Sequence, residues 1–222
     1  MSRTIKQRGT AQAATREALL EAAAEIFARR GFAATTVREI CDQAGANIAA
    51  INYHFGDKAG LYAEVLTHAL KCARQKYPPH LGTTEKSSAE TRLRAFIESF
   101  LLRLFDDGRH AWHGKLMSRE MVEPTAALDR LVEDEIRPMA QILHGIVREL
   151  LGRKATDETV RLCSLSIVSQ CLFYHQCRPV LQRLFPAVKI DPGAAAPLAE
   201  HITNFSLGAI QQAPPPARKG RR

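Results

Sequence analysis

No stretch of this 222-residue chain sustains the every-other-residue alternation that a half-buried strand needs. Apolar residues return instead at steps of three and four, and that period constrains the fold to helices. Segment 15–30 carries Leu19, Leu20, Ala23, Ile26 and Phe27 on one stripe, and Gly31 stops it. Thr36, with Glu39 three residues on, has the form of a capping box and opens a short helix that ends at Gly45. Asn47 is a good cap for a third, very short helix reaching His54. A long helix is expected over 57–77, ended by Pro78 and Pro79. Past a polar connection at 80–88, helices are predicted over 89–106, 111–122, 126–151, 157–183 and 194–211. Gly108, Pro124, Gly152 and the Phe185, Pro186 step separate them. Pro138 lies inside 126–151 and should kink that helix or split it. The fold class is all-α.

Charge is distributed unevenly. Arg3, Lys6 and Arg8 sit near the start, and Arg218, Lys219, Arg221 and Arg222 follow the last acid. These seven cations account for most of the net +8, which leaves +1 for the rest. Basic arms of this kind can contact nucleic-acid phosphates and add salt-dependent affinity; the competing reading is solubilising ends. Residues 1–14 are read as a basic flexible arm and 213–222 as a basic, proline-rich tail. No run approaches 18 apolar residues, and the start lacks the apolar core of a signal peptide, so a cytoplasmic protein with no membrane partner is expected. The five cysteines, Cys41, Cys72, Cys163, Cys171 and Cys177, form no Cys-x-x-Cys pair and are read as reduced, mostly buried thiols.

Segment 36–55 carries the function. Two short helices joined by a glycine-containing turn make a helix-turn-helix. Ile40 and Ala44 lie four apart and face inward, and Gly45 lets the backbone turn. Ile51 and Phe55 anchor the second helix, which leaves Ile48, Ala49, Asn52 and Tyr53 on its outer side. Small residues at that helix's start let its backbone sink into a major groove.

Gly31, Phe32, Thr35, Thr36, Ile40, Ala44 and Gly45, followed by Tyr53, His54, Phe55, Lys58 and Leu61, resemble the DNA-binding region of the TetR family of ligand-responsive repressors. The resemblance covers about 15–62. Asn52 stands where that family usually has tyrosine, and the run 50–56 is similar to the CecR-like branch. Trp112, His113, Arg119, Glu120, Glu123, Pro124, Thr125, Arg137 and Pro138 resemble that branch's C-terminal domain. The resemblance implies a helix-turn-helix domain at 15–60 and a larger ligand-binding and dimerisation domain at 61–212. It implies that Ile48, Ala49 and Ala50 face base edges and that Arg38 reaches a base or a phosphate. Asn47, Thr36, Tyr53, His54 and Lys58 become phosphate contacts, and Asn52 a further DNA contact. Packing is the competing role for His54, and a solvated charge for Lys58.

The partners implied are a palindromic double-stranded operator, a second copy of the chain and a small-molecule effector. Pairing is expected through 157–183 and 194–211. Trp112, Arg119, Glu120, Glu123, Gln170 and Tyr174 are candidate effector contacts, against the simpler reading of a solvated face with one structural ion pair. Cys171 and His175, four apart, are read as core filler rather than metal ligands, and no metal, cofactor or catalytic residue is expected. A regulator controlled by a protein partner, or acting without a ligand, is the nearest alternative. A helical enzyme is the alternative from another class, and would require a buried general acid or base.

Overall fold

The computed structural model describes residues 2–106, 108 and 112–212, with side chains from residue 12 onward. Every regular element among them is helical. The elements are α1 (Ser2–Arg30), α2 (Val37–Ala44), α3 (Ile48–Phe55), α4 (Lys58–Lys76), α5 (Ala89–Phe105), α6 (Trp112–Val122), α7 (Ala127–Leu131), α8 (Arg137–Leu151), α9 (Asp157–Gln176), α10 (Arg178–Leu184) and α11 (Ala195–Gln211). A π-helical turn, Val132–Ile136, precedes α8, and a 3-10 turn, Pro192–Ala194, precedes α11. No described helix is long and apolar enough to cross a membrane.

The chain forms two compact units. Among the described residues, the first holds 2–72 and 112–135, the second 73–106, 108 and 136–212. This differs from a cut at residue 60: α6 and α7 fold with the helix-turn-helix. Leu116 of α6 and Leu131 of α7 are fully buried in the same core as Leu19, Phe27, Ile40, Ile51, Leu61 and Leu66. Tyr62 meets Phe27 edge-on at 4.9 Å and Phe32 at 5.0 Å.

The second unit is built on α5, whose Leu93, Ile97 and Leu101 are fully buried against α8, α9 and α11. Ala199 and Ile202 of α11 are fully buried there too; an alanine at such a place lets the helices approach closely.

Two boundaries depart from the sequence pattern and a third follows it. Helix α1 starts at Ser2, so the segment read as a flexible arm is its first half. Ala11, Ala13 and Ala14 have high helix propensity and no proline interrupts them. The helix expected over 157–183 breaks at Cys177, because Pro179 at the start of α10 has no N–H to give the preceding turn. Pro138 does split 126–151, and the wide π-helical turn before it absorbs the break. The tail 213–222 lies outside the described residues.

Candidate nucleic-acid interface

Each end of the α2–α3 pair is fixed by a local hydrogen bond. The Thr36 hydroxyl accepts from the Glu39 N–H at 3.2 Å, and the Glu39 carboxylate accepts from the Thr36 N–H at 2.9 Å. This capping box holds the Glu39 carboxyl below its usual range: the Thr36 backbone bond contributes most, then the Thr36 side chain, with Arg30 also paired to it. Gly45 closes α2 at φ 62°, a left-handed conformation that costs other residues strain. Asn47 then opens α3, its Oδ1 accepting the Ala49 N–H at 2.9 Å. Gly60 lets α4 follow immediately, since a Cβ there would lie 2.0 Å from the Phe55 carbonyl oxygen.

Ile51 is fully buried, so the opposite side of α3 faces out. Ile48 is 49% exposed and Tyr53 72% exposed, with Ala49 and Asn52 exposed beside them. Arg38 is exposed on α2. The other expected DNA contacts are placed differently. Ala50 is half-buried against the core, because it precedes Ile51 by only one helical step of about 100°. The Thr36 hydroxyl donates its own hydrogen to Glu39 at 2.9 Å and has none left for a phosphate. Lys58 donates to the Thr35 carbonyl at 2.7 Å and lies 4.5 Å over the Phe32 ring, so its charge closes the turn before α2. His54 is half-buried, packed edge-on against Tyr53 at 4.9 Å. Arg16, which carries no motif signal, lies 5.3 Å over the Phe55 ring and pairs with Glu64 at 2.8 Å, bracing α1 against α3 and α4.

The polar residues expected to line an effector pocket are mostly committed to structure. Arg119 donates to the Ala28 and Arg29 carbonyls at 3.2 and 2.8 Å, closing the C-terminal end of α1. Glu120 is fully buried and accepts from the Tyr62 hydroxyl at 2.9 Å and the Thr125 N–H at 2.8 Å. Burial, and next this carboxylate, push the Tyr62 hydroxyl well above its ordinary range. Trp112 packs on the first core and edges a shallow concavity with Glu21, Glu25 and Gln43, while Glu123 is exposed. Gln170 and Tyr174 belong to the second unit, where Gln170 donates to the Ser166 carbonyl and lies 3.4 Å from the Ser206 hydroxyl. Arg103 is also buried there and has no sequence motif to mark it. It donates to the Tyr77 carbonyl at 3.2 Å, and burial lowers its pKa to about 10. Among the described residues no cluster of His, Cys, Asp or Glu could hold a metal.

Two family models match the chain. One describes bacterial regulatory proteins of the tetR family and covers residues 19–65. The other describes the C-terminal domain of the HTH-type transcriptional dual regulator CecR and covers 89–210. The chain is 32% identical to the HTH-type transcriptional dual regulator CecR of Shigella flexneri, over 70% of this chain and 73% of that one. It is 24% identical to the HTH-type transcriptional repressor NicS of Pseudomonas putida, over 89% and 93%. The fold superposes on AibR, solved in complex with isovaleryl coenzyme A and operator DNA, with a TM-score of 0.60, 16% identity and coverage of 88% and 97%.

Proposed function

The chain belongs to the TetR family and is a DNA-binding transcriptional regulator, not an enzyme; we propose that it is a repressor that grips a palindromic operator as a homodimer and releases it when a small molecule binds its C-terminal domain. The observation that carries the reading is α3: a capped helix anchored by Ile51 whose other face, Ile48, Ala49, Asn52 and Tyr53, is exposed, as is Arg38 on α2. A helix of this kind is narrow enough to enter a major groove and short enough to need a second copy for useful specificity. Tyr53, Asn47 through its amide hydrogens and His54 contact phosphates, and Arg38 reaches a phosphate or a base. Lys58 and Thr36 act indirectly, by holding the turn and the start of α2.

NicS is named a repressor and AibR was solved with both an acyl-coenzyme A and operator DNA, which supports the repressor and effector parts. Gln170 and Tyr174, on α9 of the C-terminal domain, are the residues expected to meet the effector. An effector changes DNA affinity only through unequal affinity for the bound and released states.

The test is selection of bound genomic fragments, followed by anisotropy titration of the protein–operator complex with an effector library. The expected result is an enriched palindrome, affinity that falls steeply with salt, and at least one compound that releases DNA from the wild type but less readily from Gln170→Ala or Tyr174→Phe. No palindrome removes the regulator reading; binding compounds that never alter DNA affinity remove the effector reading.

A further inference from the structure

The polar side chains on and around α3 divide into those spent inside the protein and those free to bond elsewhere. Asn47 uses its carbonyl oxygen on Ala49, Thr36 and Glu39 hold each other, Gln43 donates to Glu25, and Lys58 donates to Thr35. Asn52 differs from all of these. It is exposed, one helical turn after Ile48, and among the described residues its side-chain amide has no hydrogen-bond partner. Its backbone carbonyl is engaged by the Gly56 N–H that closes α3.

Resting on the reading of α3 as the recognition helix, we propose that Asn52 reads an adenine in the major groove, with Ile48 and Ala49 against thymine methyl groups of the same half-site. A primary amide carries a donor and an acceptor side by side. Adenine presents the complementary pair, N7 as acceptor and N6–H as donor, whereas guanine presents two acceptors and would leave the Asn52 oxygen facing another oxygen. Ile48, 49% exposed and with no polar atom on its side chain, finds one apolar partner on a groove floor of base edges, the thymine methyl. Ile48 and Asn52 lie about 6 Å apart along the helix axis at ~1.5 Å per residue. That spans roughly two base steps of ~3.4 Å, so each half-site carries A·T pairs at two close positions.

The experiment is selection of random-sequence DNA by the full-length protein as wild type, Asn52→Ala and Asn52→Asp. The wild type should enrich a palindrome with adenine at one fixed position of each half-site, and replacing that adenine should weaken binding roughly five- to hundredfold. Asn52→Ala should flatten the preference at that position alone. Asn52→Asp keeps the shape but exchanges the donor for an acceptor, and should turn the preference toward cytosine, whose N4 is a donor. Both variants should melt within about 2 °C of the wild type, as exposed substitutions do. An unchanged preference in Asn52→Ala overturns the proposal, and so does an equal loss of affinity for every sequence, which would make Asn52 a phosphate contact. A wild type that enriches no palindrome overturns the recognition-helix reading beneath it, an outcome distinct from both.

Discussion

Glu120, buried, and Arg119, exposed, raise one question at the scale of a residue: where a charged group on a mostly apolar helix finds its partners. In the sequence they stand in a mostly apolar helix, and a ligand could supply those partners. The structure supplies them from the protein. Tyr62 is 58 positions from Glu120, and Ala28 and Arg29 are 91 and 90 from Arg119, so nothing local announces the pairing. Removing Glu120 leaves the buried Tyr62 hydroxyl and the Thr125 N–H without an acceptor. Glu120→Ala should therefore cost about 3 kcal/mol, and Tyr62→Phe about 1–2 kcal/mol, read from urea midpoints at unchanged slope. A Glu120→Ala protein of wild-type stability with an altered effector response would return the residue to a pocket. Cys171, read from the sequence as buried filler, is fully buried, and that burial raises its thiol to about 12. Its thiol is then neutral far above pH 8. It should fail to react with a disulfide reagent at pH 8 in the native protein and react once unfolded.

The element scale is where the sequence is most readable, because caps and breakers act within a few residues. Thr36, Glu39, Gly45 and Asn47 specify both ends of a helix-turn-helix by themselves, and the structure forms every one of those bonds. The outward set on α3 follows from one buried residue, Ile51, plus the helical period. Thr36 and Lys58 are less legible, since a motif position does not reveal whether its polar atoms are already used, and Ala50 is half-buried because Ile51 is its neighbour. Pro138 predicted a break, yet only the fold determined that a π-helical turn would take it up. Pro179 carried an equally plain signal within an apolar run long enough to hide it. A helix of 8 residues such as α3 is marginal alone and leans on its cap. Asn47→Ala should cost about 1 kcal/mol, speed amide exchange through α3 and weaken operator binding, while Asn47→Asp keeps the cap and the stability. Equal exchange in Asn47→Ala would mean that Ile51 alone holds α3.

At the scale of the whole molecule, the exposed face of the second unit remains to be accounted for. On α9, Leu162 and Leu165 are each 54% exposed and Phe173 52% exposed; at about 100° per residue they share one stripe with the exposed Ser166 and Ser169. On α11, packed beside α9, Phe205 is 63% exposed and lies 6.5 Å from the His201 ring. The family resemblance implies pairing through these helices, and their apolar pattern does not separate residues facing the core, such as Ile167 and Ile202, from those facing out. Finishing the burial of each outward side chain contributes roughly 1 kcal/mol, so a two-fold pair gains about 8 kcal/mol from them, similar to the cost of association. The balance is close enough for two substitutions to reverse it. Leu165→Glu with Phe205→Glu would bring four carboxylates into the paired face while leaving each unit's own core untouched. The wild type should scatter light as twice 24.6 kDa at micromolar concentration, and the double variant as 24.6 kDa with an unchanged helical spectrum. Operator affinity should fall at least about a hundredfold in the variant, because one recognition helix no longer brings its twin to the next major groove, roughly 34–36 Å away. Binding to a single half-site should then match binding to the full palindrome. A variant that remains a dimer would place the pairing surface elsewhere; a monomer that keeps full operator affinity would remove the palindrome from the mechanism.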